Sequence, residues 1–203
     1  MYIAWVNNEW INATKRKELI DVYAEYIAVL DDKFPDIDAL ADAGYIEEYL
    51  ENAQQLERLE RIHRCENDLA QFAIEYFSDY GNPGNDGNWD GFDAESPSDL
   101  PPFHRSLIGM MNDVSNKEVN AKVAAAIARS HGKSTWLSKG FPVAEICYRR
   151  RKYVIIISET PTVSKANLEW VRNQLKSNVK LREDFGPLLS PKDQANPRDN
   201  GEE

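Results

Sequence analysis

The fold prediction depends on one short stretch, Ala128-Arg-Ser-His-Gly-Lys-Ser-Thr135. A short apolar run, residues 121–128, leads into it, and a helix-forming stretch of about residues 133–147 follows it. An apolar strand, a loop containing Gly-Lys-Ser and then a helix form the context that a phosphate-binding loop requires. The sequence therefore predicts a strand, a phosphate-binding loop and a helix in this order.

Each residue type in the stretch has a chemical reason to be there. Gly132 lets the backbone turn tightly and approach a phosphate group. Successive backbone N–H groups of the loop form an anion-binding nest, and a helix that begins near Lys133 adds the positive end of its dipole. The Lys133 ammonium would reach the β and γ phosphates, and the Ser134 hydroxyl would bind Mg²⁺. The usual pattern has glycine where Ile127 stands, so an accidental turn is the alternative interpretation.

Residues 103–186 are predicted to alternate between helices and strands. Residues 121–128 and 153–158 are apolar, and the second run is rich in β-branched residues, which is typical of a central strand covered on both faces. Helices are predicted at 103–111, about 133–147 and 162–178. This order predicts an α/β fold with a parallel sheet and right-handed crossovers, a partial P-loop NTPase sheet of the ASCE type.

Residues 1–80 are predicted to form an acidic helical region. Apolar residues recur at helical spacing between residues 19 and 30, Pro35 ends that helix, and further helices follow at 36–43, 45–63 and 69–76. The turn-forming residues of 81–102 indicate a linker or long surface loop, which Trp89 and Phe92 would dock onto the protein. Residues 187–203 contain few apolar side chains and are predicted to be a mobile tail.

Composition and charge narrow the class of protein. The chain has 203 residues and a net charge of -10, with no apolar run near the length of about 20 residues that a membrane helix requires. Residues 1–100 contain 7 Lys+Arg and 23 Asp+Glu, whereas residues 101–203 contain 17 and 11. The second half is therefore the part expected to meet phosphates. Two distant cysteines and three histidines argue against a zinc scaffold and for a reducing compartment.

The loop sequence resembles the deviant Walker A loop of large terminase subunits, the ATP-driven motors that package DNA into the heads of tailed phages. In that family an arginine precedes the loop lysine by four residues, as Arg129 precedes Lys133 here. The similarity continues through residues 151–160 and 180–186 and covers about residues 66–203. It is specific around the loop and looser elsewhere, and it does not include residues 1–65.

The resemblance implies roles for the site residues. Arg129 would stabilise the γ-phosphate during hydrolysis, with Lys133 as the second catalytic residue, and Phe103 and His104 would lie beside the adenine. Other interpretations stay open: Arg129 as an anion-nest side chain or a salt-bridge residue, Phe103 as a core aromatic, and His131 as a loop spacer. Residues 149–152 would either contact DNA or form a solvated turn. The residues predicted to bind nucleotide are Phe103, His104, Ala128, Arg129, Ser130, His131, Gly132, Lys133, Ser134 and Thr135, with Ser134 on Mg²⁺.

The resemblance also implies cofactors, partners and place. ATP and Mg²⁺ would be bound, and double-stranded DNA, a portal protein and the small terminase subunit would be the partners, in a ring of subunits in the host cytoplasm of a phage or prophage. No apolar strand ending in Asp-Glu follows residue 158, so the Walker B carboxylate is missing. We therefore expect an N-terminal fragment of such a motor, marginally stable by itself and with slow or no ATP hydrolysis.

Two other classes of function fit parts of the sequence. One is a different P-loop NTPase, such as a helicase-like ATPase or a small-molecule kinase. The other is a non-catalytic interaction protein in which the acidic helices of residues 1–80 form the active surface. Protection from unfolding by a nucleotide would distinguish both NTPases from the interaction protein.

Overall fold

The computed structural model describes residues 2–116, 121–151 and 153–189. About 62% of the structure is helical. The chain divides into two compact units, residues 1–64 and residues 65–203. The domain boundaries expected from composition, after residues 80, 102 and 186, stay predictions, and most of the predicted mobile tail lies outside the described residues.

The first unit begins with a β-hairpin. Its turn residues Asn7 and Asn8 have φ angles of 50° and 65°, the left-handed values that a tight two-residue hairpin turn needs and that asparagine tolerates. The prediction of an all-helical region over residues 1–80 is therefore wrong for these residues. The antiparallel strands are β1 (Tyr2–Val6) and β2 (Glu9–Asn12).

Three helices follow the hairpin, much as the sequence predicts. The side chain of Asn12 accepts a hydrogen bond of 2.8 Å from the backbone N–H of Lys15 and so caps the first helix. That helix ends just before Pro35, and the side chain of Asp36 caps the next one. The helices are α1 (Ala13–Lys33), α2 (Ile37–Asp42) and α3 (Ile46–Cys65).

The second unit is built around a buried helix and a cluster of aromatic rings. The helix α4 buries seven of its nine residues, because its side chains are apolar on nearly every face. No helix in the described ranges is both long and apolar enough to cross a membrane. The helices in the described part of this unit are α4 (Leu69–Phe77), a 3₁₀ helix (Pro97–Asp99), α5 (Pro102–Asn116), a π-helix (Thr135–Gly140), α6 (Phe141–Cys147), α7 (Pro161–Ser177) and α8 (Val179–Phe185).

The connection between α4 and α5 is packed against the unit rather than extended from it. The N–H of Trp89 donates to the carbonyl of Phe77 at 3.0 Å, and the Trp89 ring lies 5.1 Å from that of Phe92. The Asn88 amide donates to the carbonyls of Ser78 and Asn82. The bonds to the carbonyls of Phe77 and Ser78 satisfy backbone groups at the C-terminal end of helix α4. The prediction that the two aromatic residues dock this segment is confirmed.

The predicted parallel P-loop sheet is absent from the described residues, so the α/β fold class is wrong. Residues 121–128 and 153–158 belong to no strand, and most of their side chains are exposed. A central strand is stable only when neighbouring strands pair with its backbone and other elements cover both faces. In this unit the described helices bury their apolar faces against one another, and β propensity by itself does not hold these two runs in a sheet.

Helix α7 confirms the helix predicted at 162–178. Its apolar residues at helical spacing, Ala166, Leu168, Val171 and Leu175, are predicted to face inward. Val171 and Leu175 are buried, whereas Leu168 is 51% exposed and Ala166 is exposed as well. The side chain of Gln174 is buried instead and accepts a hydrogen bond of 2.8 Å from the Asn178 amide. A buried amide needs such a partner, so the helix turns a mixed polar and apolar face inward.

Candidate phosphate-binding loop

The loop at residues 128–134 forms a turn and not a continuation of a helix. Ser130 and Gly132 have φ angles of 63° and 67°, and His131 between them does not. Left-handed residues that alternate with ordinary ones bring successive backbone N–H groups toward a common centre, the arrangement called an anion-binding nest. Gly132 adopts this conformation without steric cost, and the stretch is exposed to solvent.

A helix begins directly after the loop. Lys133 and Ser134 are helical, and the N–H of Trp136 donates to the carbonyl of Gly132 at 3.1 Å. Residues 133–147 run through the π-helix into α6 as one helical stretch, which agrees with the predicted helix. The first N–H groups of this stretch have no partner within the helix and carry partial positive charge.

Two basic side chains accompany the loop. The ammonium Nζ of Lys133 lies 3.3 Å from the carbonyl oxygen of Ala128, so this side chain folds back across the loop to its first residue. The side chain of Arg129 is exposed. The loop therefore carries one cation held close to its backbone and a second cation exposed to solvent.

Helix α5 brings Phe103 and His104 against the loop. The ring nitrogen Nε2 of His104 donates to the carbonyl of His131 at 3.1 Å, and the ring centroids of Phe103 and His131 lie 5.8 Å apart. His131 in turn donates from Nδ1 to the carbonyl of Arg129 at 2.7 Å. These two hydrogen bonds, to the carbonyls of His131 and Arg129, stabilise the turn. His131 thus holds the shape of the loop, a role that the spacer interpretation missed.

A cavity of about 560 Å³ lies beside the start of the helix. Its lining includes Gly132, Thr135 and Trp136 of the loop and helix, together with residues 86–92. Trp136 packs edge-on against Trp89 with ring centroids 4.8 Å apart. His104, Lys139 and Trp170 complete the lining, and the Lys139 ammonium lies 5.4 Å from the centroid of the Trp170 ring. Sequence reasoning did not identify Trp136 or Trp170, because residues far apart in the chain meet only in the folded unit.

Two arginines in the described part of the basic run at residues 149–152 form ion pairs with a buried carboxylate. Glu145 is 1% exposed, and Arg150 and Arg151 lie 3.4 Å and 3.5 Å from its carboxylate oxygens. The hydroxyl of Ser115 donates to the same carboxylate. A carboxylate at this depth requires paired cations, so these arginines stabilise the unit. The proposed DNA contact stays a prediction.

The predicted site residues therefore fall close together, although the predicted sheet is missing. The described residues contain no group of three His, Cys, Asp or Glu side chains that could hold a metal ion by themselves. The Ser134 hydroxyl would be one oxygen ligand, and a bound nucleotide and water would have to supply most of the six oxygens that Mg²⁺ prefers.

Comparisons of the chain with protein-family models, with curated proteins and with solved structures give no match. The geometry of the loop and the resemblance of its sequence to a terminase Walker A loop are thus the two arguments on which a function rests.

Proposed function

We propose that residues 128–135 bind the phosphate groups of ATP, and that the chain is the ATP-binding portion of a large terminase subunit. Such a subunit couples ATP hydrolysis to the movement of double-stranded DNA into a prohead in the cytoplasm of a bacterial host. The loop supports the first statement, and the resemblance supports the second.

The observation that carries the proposal is the loop conformation. Left-handed Ser130 and Gly132 enclose His131 directly before a helix begins, and the Lys133 ammonium is held 3.3 Å from the carbonyl of Ala128. Backbone N–H groups of a nest, a helix N-terminus and a lysine are three groups that favour a polyphosphate. None of these three groups requires a β-sheet, so they are present although the described residues form no parallel sheet.

The proposal is for binding with little or no turnover by this chain. Hydrolysis in P-loop NTPases needs a carboxylate that orders Mg²⁺ and a second group that orients the attacking water. After residue 158 the sequence contains no apolar run that ends in Asp-Glu. When bound, Mg²⁺ would neutralise phosphate charge, with the Ser134 hydroxyl as a ligand. Arg129 would be the residue that reaches the γ-phosphate.

The resemblance extends the proposal to partners. Double-stranded DNA, a portal protein, the small terminase subunit and further copies of the motor subunit in a ring are the expected partners. In a direct assay, ATP binding should be accompanied by binding of double-stranded DNA in moderate salt. ATP binding with no DNA binding at low salt would favour a different P-loop NTPase.

The test of phosphate binding is a titration of the intact chain with Mg·ATP, followed by calorimetry. A charge-assisted hydrogen bond contributes about 1.5–3 kcal/mol. Lys133→Ala should therefore weaken binding by about 10-fold to 150-fold. Gly132→Ala should weaken it as well, because a side chain at φ +67° is strained.

The matched control is Lys165→Ala, which removes an exposed lysine from α7 and leaves the loop untouched. It should bind Mg·ATP like the unaltered chain. Equal affinities of the Lys133 and Lys165 variants, in chains with unaltered circular dichroism, would contradict phosphate binding at this loop. Absence of any heat of binding to the unaltered chain would contradict it too.

A further inference from the structure

Residues 153–157, Tyr-Val-Ile-Ile-Ile, form a largely exposed apolar segment of the second unit. Tyr153, Ile155 and Ile157 are 88%, 83% and 88% exposed, and Val154 is 39% exposed. Three bulky apolar side chains at alternate positions are thus nearly free of contact with the rest of the unit. Soluble proteins seldom leave so much contiguous apolar surface uncovered, and such patches mark sites where another molecule binds.

The backbone of the 153–157 segment is available for pairing. In the described part of the chain the segment belongs to no helix and no strand. Its residues are β-branched or aromatic, and it contains no proline, glycine or charge, the composition of strands that pair with an extended partner. A binding partner that supplies another extended strand would pair with the N–H and C=O groups of the segment and would also cover its side chains.

The charges on either side of the segment indicate which partner strand fits it. Arg151 precedes the segment and Glu159 follows it. If two copies pair antiparallel with Ile155 opposite Ile155, Arg151 of each copy faces Glu159 of the other. Opposite charges directly across an antiparallel pair stabilise it, and like charges destabilise it. A parallel pair in register would instead place arginine opposite arginine, so the charges select the antiparallel arrangement.

Both flanking residues are accessible enough to take part. The side chain of Arg151 is 40% exposed; its Nε lies 3.5 Å from Glu145, and its other two nitrogens donate to the carbonyls of Arg150 and Val114. One N–H on each of those two nitrogens remains for a second carboxylate, and Glu159 is exposed. The five apolar residues are self-complementary in this register, because Tyr153 meets Ile157 and Val154 meets Ile156. A second copy therefore offers a complete partner for the segment.

We infer that two copies of this chain associate through antiparallel pairing of their 153–157 segments about Ile155. The contact is isologous, with a two-fold axis at Ile155, which closes the pair as a dimer. This interface does not depend on nucleotide binding by the loop at residues 128–135.

Sedimentation velocity over a range of concentrations tests the dimer. The unaltered chain should shift from 23.2 kDa toward twice that mass as its concentration rises. Ile155→Lys would place two ammonium groups opposite each other and should raise the dimer Kd at least about tenfold. The control Val29→Lys changes a residue of α1 that is 59% exposed and should leave the Kd unchanged. A monomer at every concentration, or equal shifts in both variants, would overturn the inference.

Cross-linking tests the register separately. The described cysteines, Cys65 and Cys147, are buried, so a new surface cysteine reacts in preference to them. Across an antiparallel pair, opposite Cα atoms are about 4.5–5.5 Å apart, a distance that a disulfide spans. Ile155→Cys should form a covalent dimer under mild oxidation, and Val163→Cys, at a residue 52% exposed, should not. Equal cross-linking of the two variants would rule out the pairing about Ile155.

Discussion

Replacement of Trp136 by alanine tests how the loop and the aromatic cluster are held together. The Trp136 side chain is 2% exposed, and its ring lies 4.8 Å from that of Trp89 and 5.9 Å from that of Phe92. Large aromatic residues replaced by alanine in a core cost about 3–5 kcal/mol. Since Trp136 also lines the cavity of about 560 Å³, the new space opens onto an existing one that water can enter. We therefore expect the lower end, about 3 kcal/mol.

Leu137→Ala provides the matched control. Leu137 is the next residue in the same π-helix, but it is 37% exposed. Its truncation removes less buried surface and should cost about 1 kcal/mol or less. The pair thus compares burial at adjacent positions with nearly the same helix propensity change.

Urea unfolding followed by far-ultraviolet circular dichroism gives the difference. With a denaturant slope of about 2 kcal/mol per molar urea, the Trp136 variant should lose about 1.5 M in midpoint and the Leu137 variant about 0.5 M or less. The shift in urea midpoint should appear in the unfolding transition of the second unit, residues 65–203. Equal midpoints for the two variants would refute the assignment of Trp136 to the core, and with it the packing argument that fixes the helix next to the loop.

Two further predictions concern the buried interior of the second unit. Burial, and next the negative charge of Asp184, raise the pKa of the Cys147 thiol well above its ordinary value of 9.0. The thiol therefore loses its proton at a lower pH in the unfolded chain than in the folded one. Its contribution to the free energy of unfolding is fully present below pH 9.0 and falls as the pH rises above 9.0. Urea midpoints at about pH 8 and about pH 10 should show the fall, and Cys147→Ala should reduce it; an unchanged fall would contradict the prediction. Tyr76→Phe removes a buried hydrogen bond of 2.6 Å to Asp184 and should cost about 1.5–3 kcal/mol in urea unfolding. Tyr80→Phe, at a residue 59% exposed, should cost almost nothing, and a similar loss in both would count against the bond.

Local signals in the sequence predicted most helices correctly. Helical spacing and Pro35 gave the end of α1, and the acidic cap Asp36 lies where the next helix begins. The hairpin was missed although Asn7-Asn8 is a turn signal, because its strands contain only five and four residues. Short strands of this kind carry little periodicity.

The two runs at residues 121–128 and 153–158 show where sequence patterns fail. Their composition favours strands, but strand formation depends on partners that a local pattern does not specify. Gly132 and Lys133 were predicted as the centre of the candidate site; Gly132 has a left-handed φ of 67° in the loop, and Lys133 begins the helix. The cavity beside them was not predictable, since Trp89, Trp136 and Trp170 come from three separate elements.

The π-helix at Thr135–Gly140 has a consequence for the angular phase of the helical stretch. An ordinary α-helix advances by about 100° per residue, and a π-turn accommodates one extra residue without lengthening the axis by a full step. Relative to the buried face of α6, Lys133 and Ser134 thus point in a different direction around the axis than they would on an uninterrupted α-helix. Conversion of this segment to an ordinary α-helix with the same number of residues would turn the end that carries Lys133 by about 100° while the core-facing end stayed in place. Loss of one residue would instead restore the ordinary helix and keep the direction of Lys133.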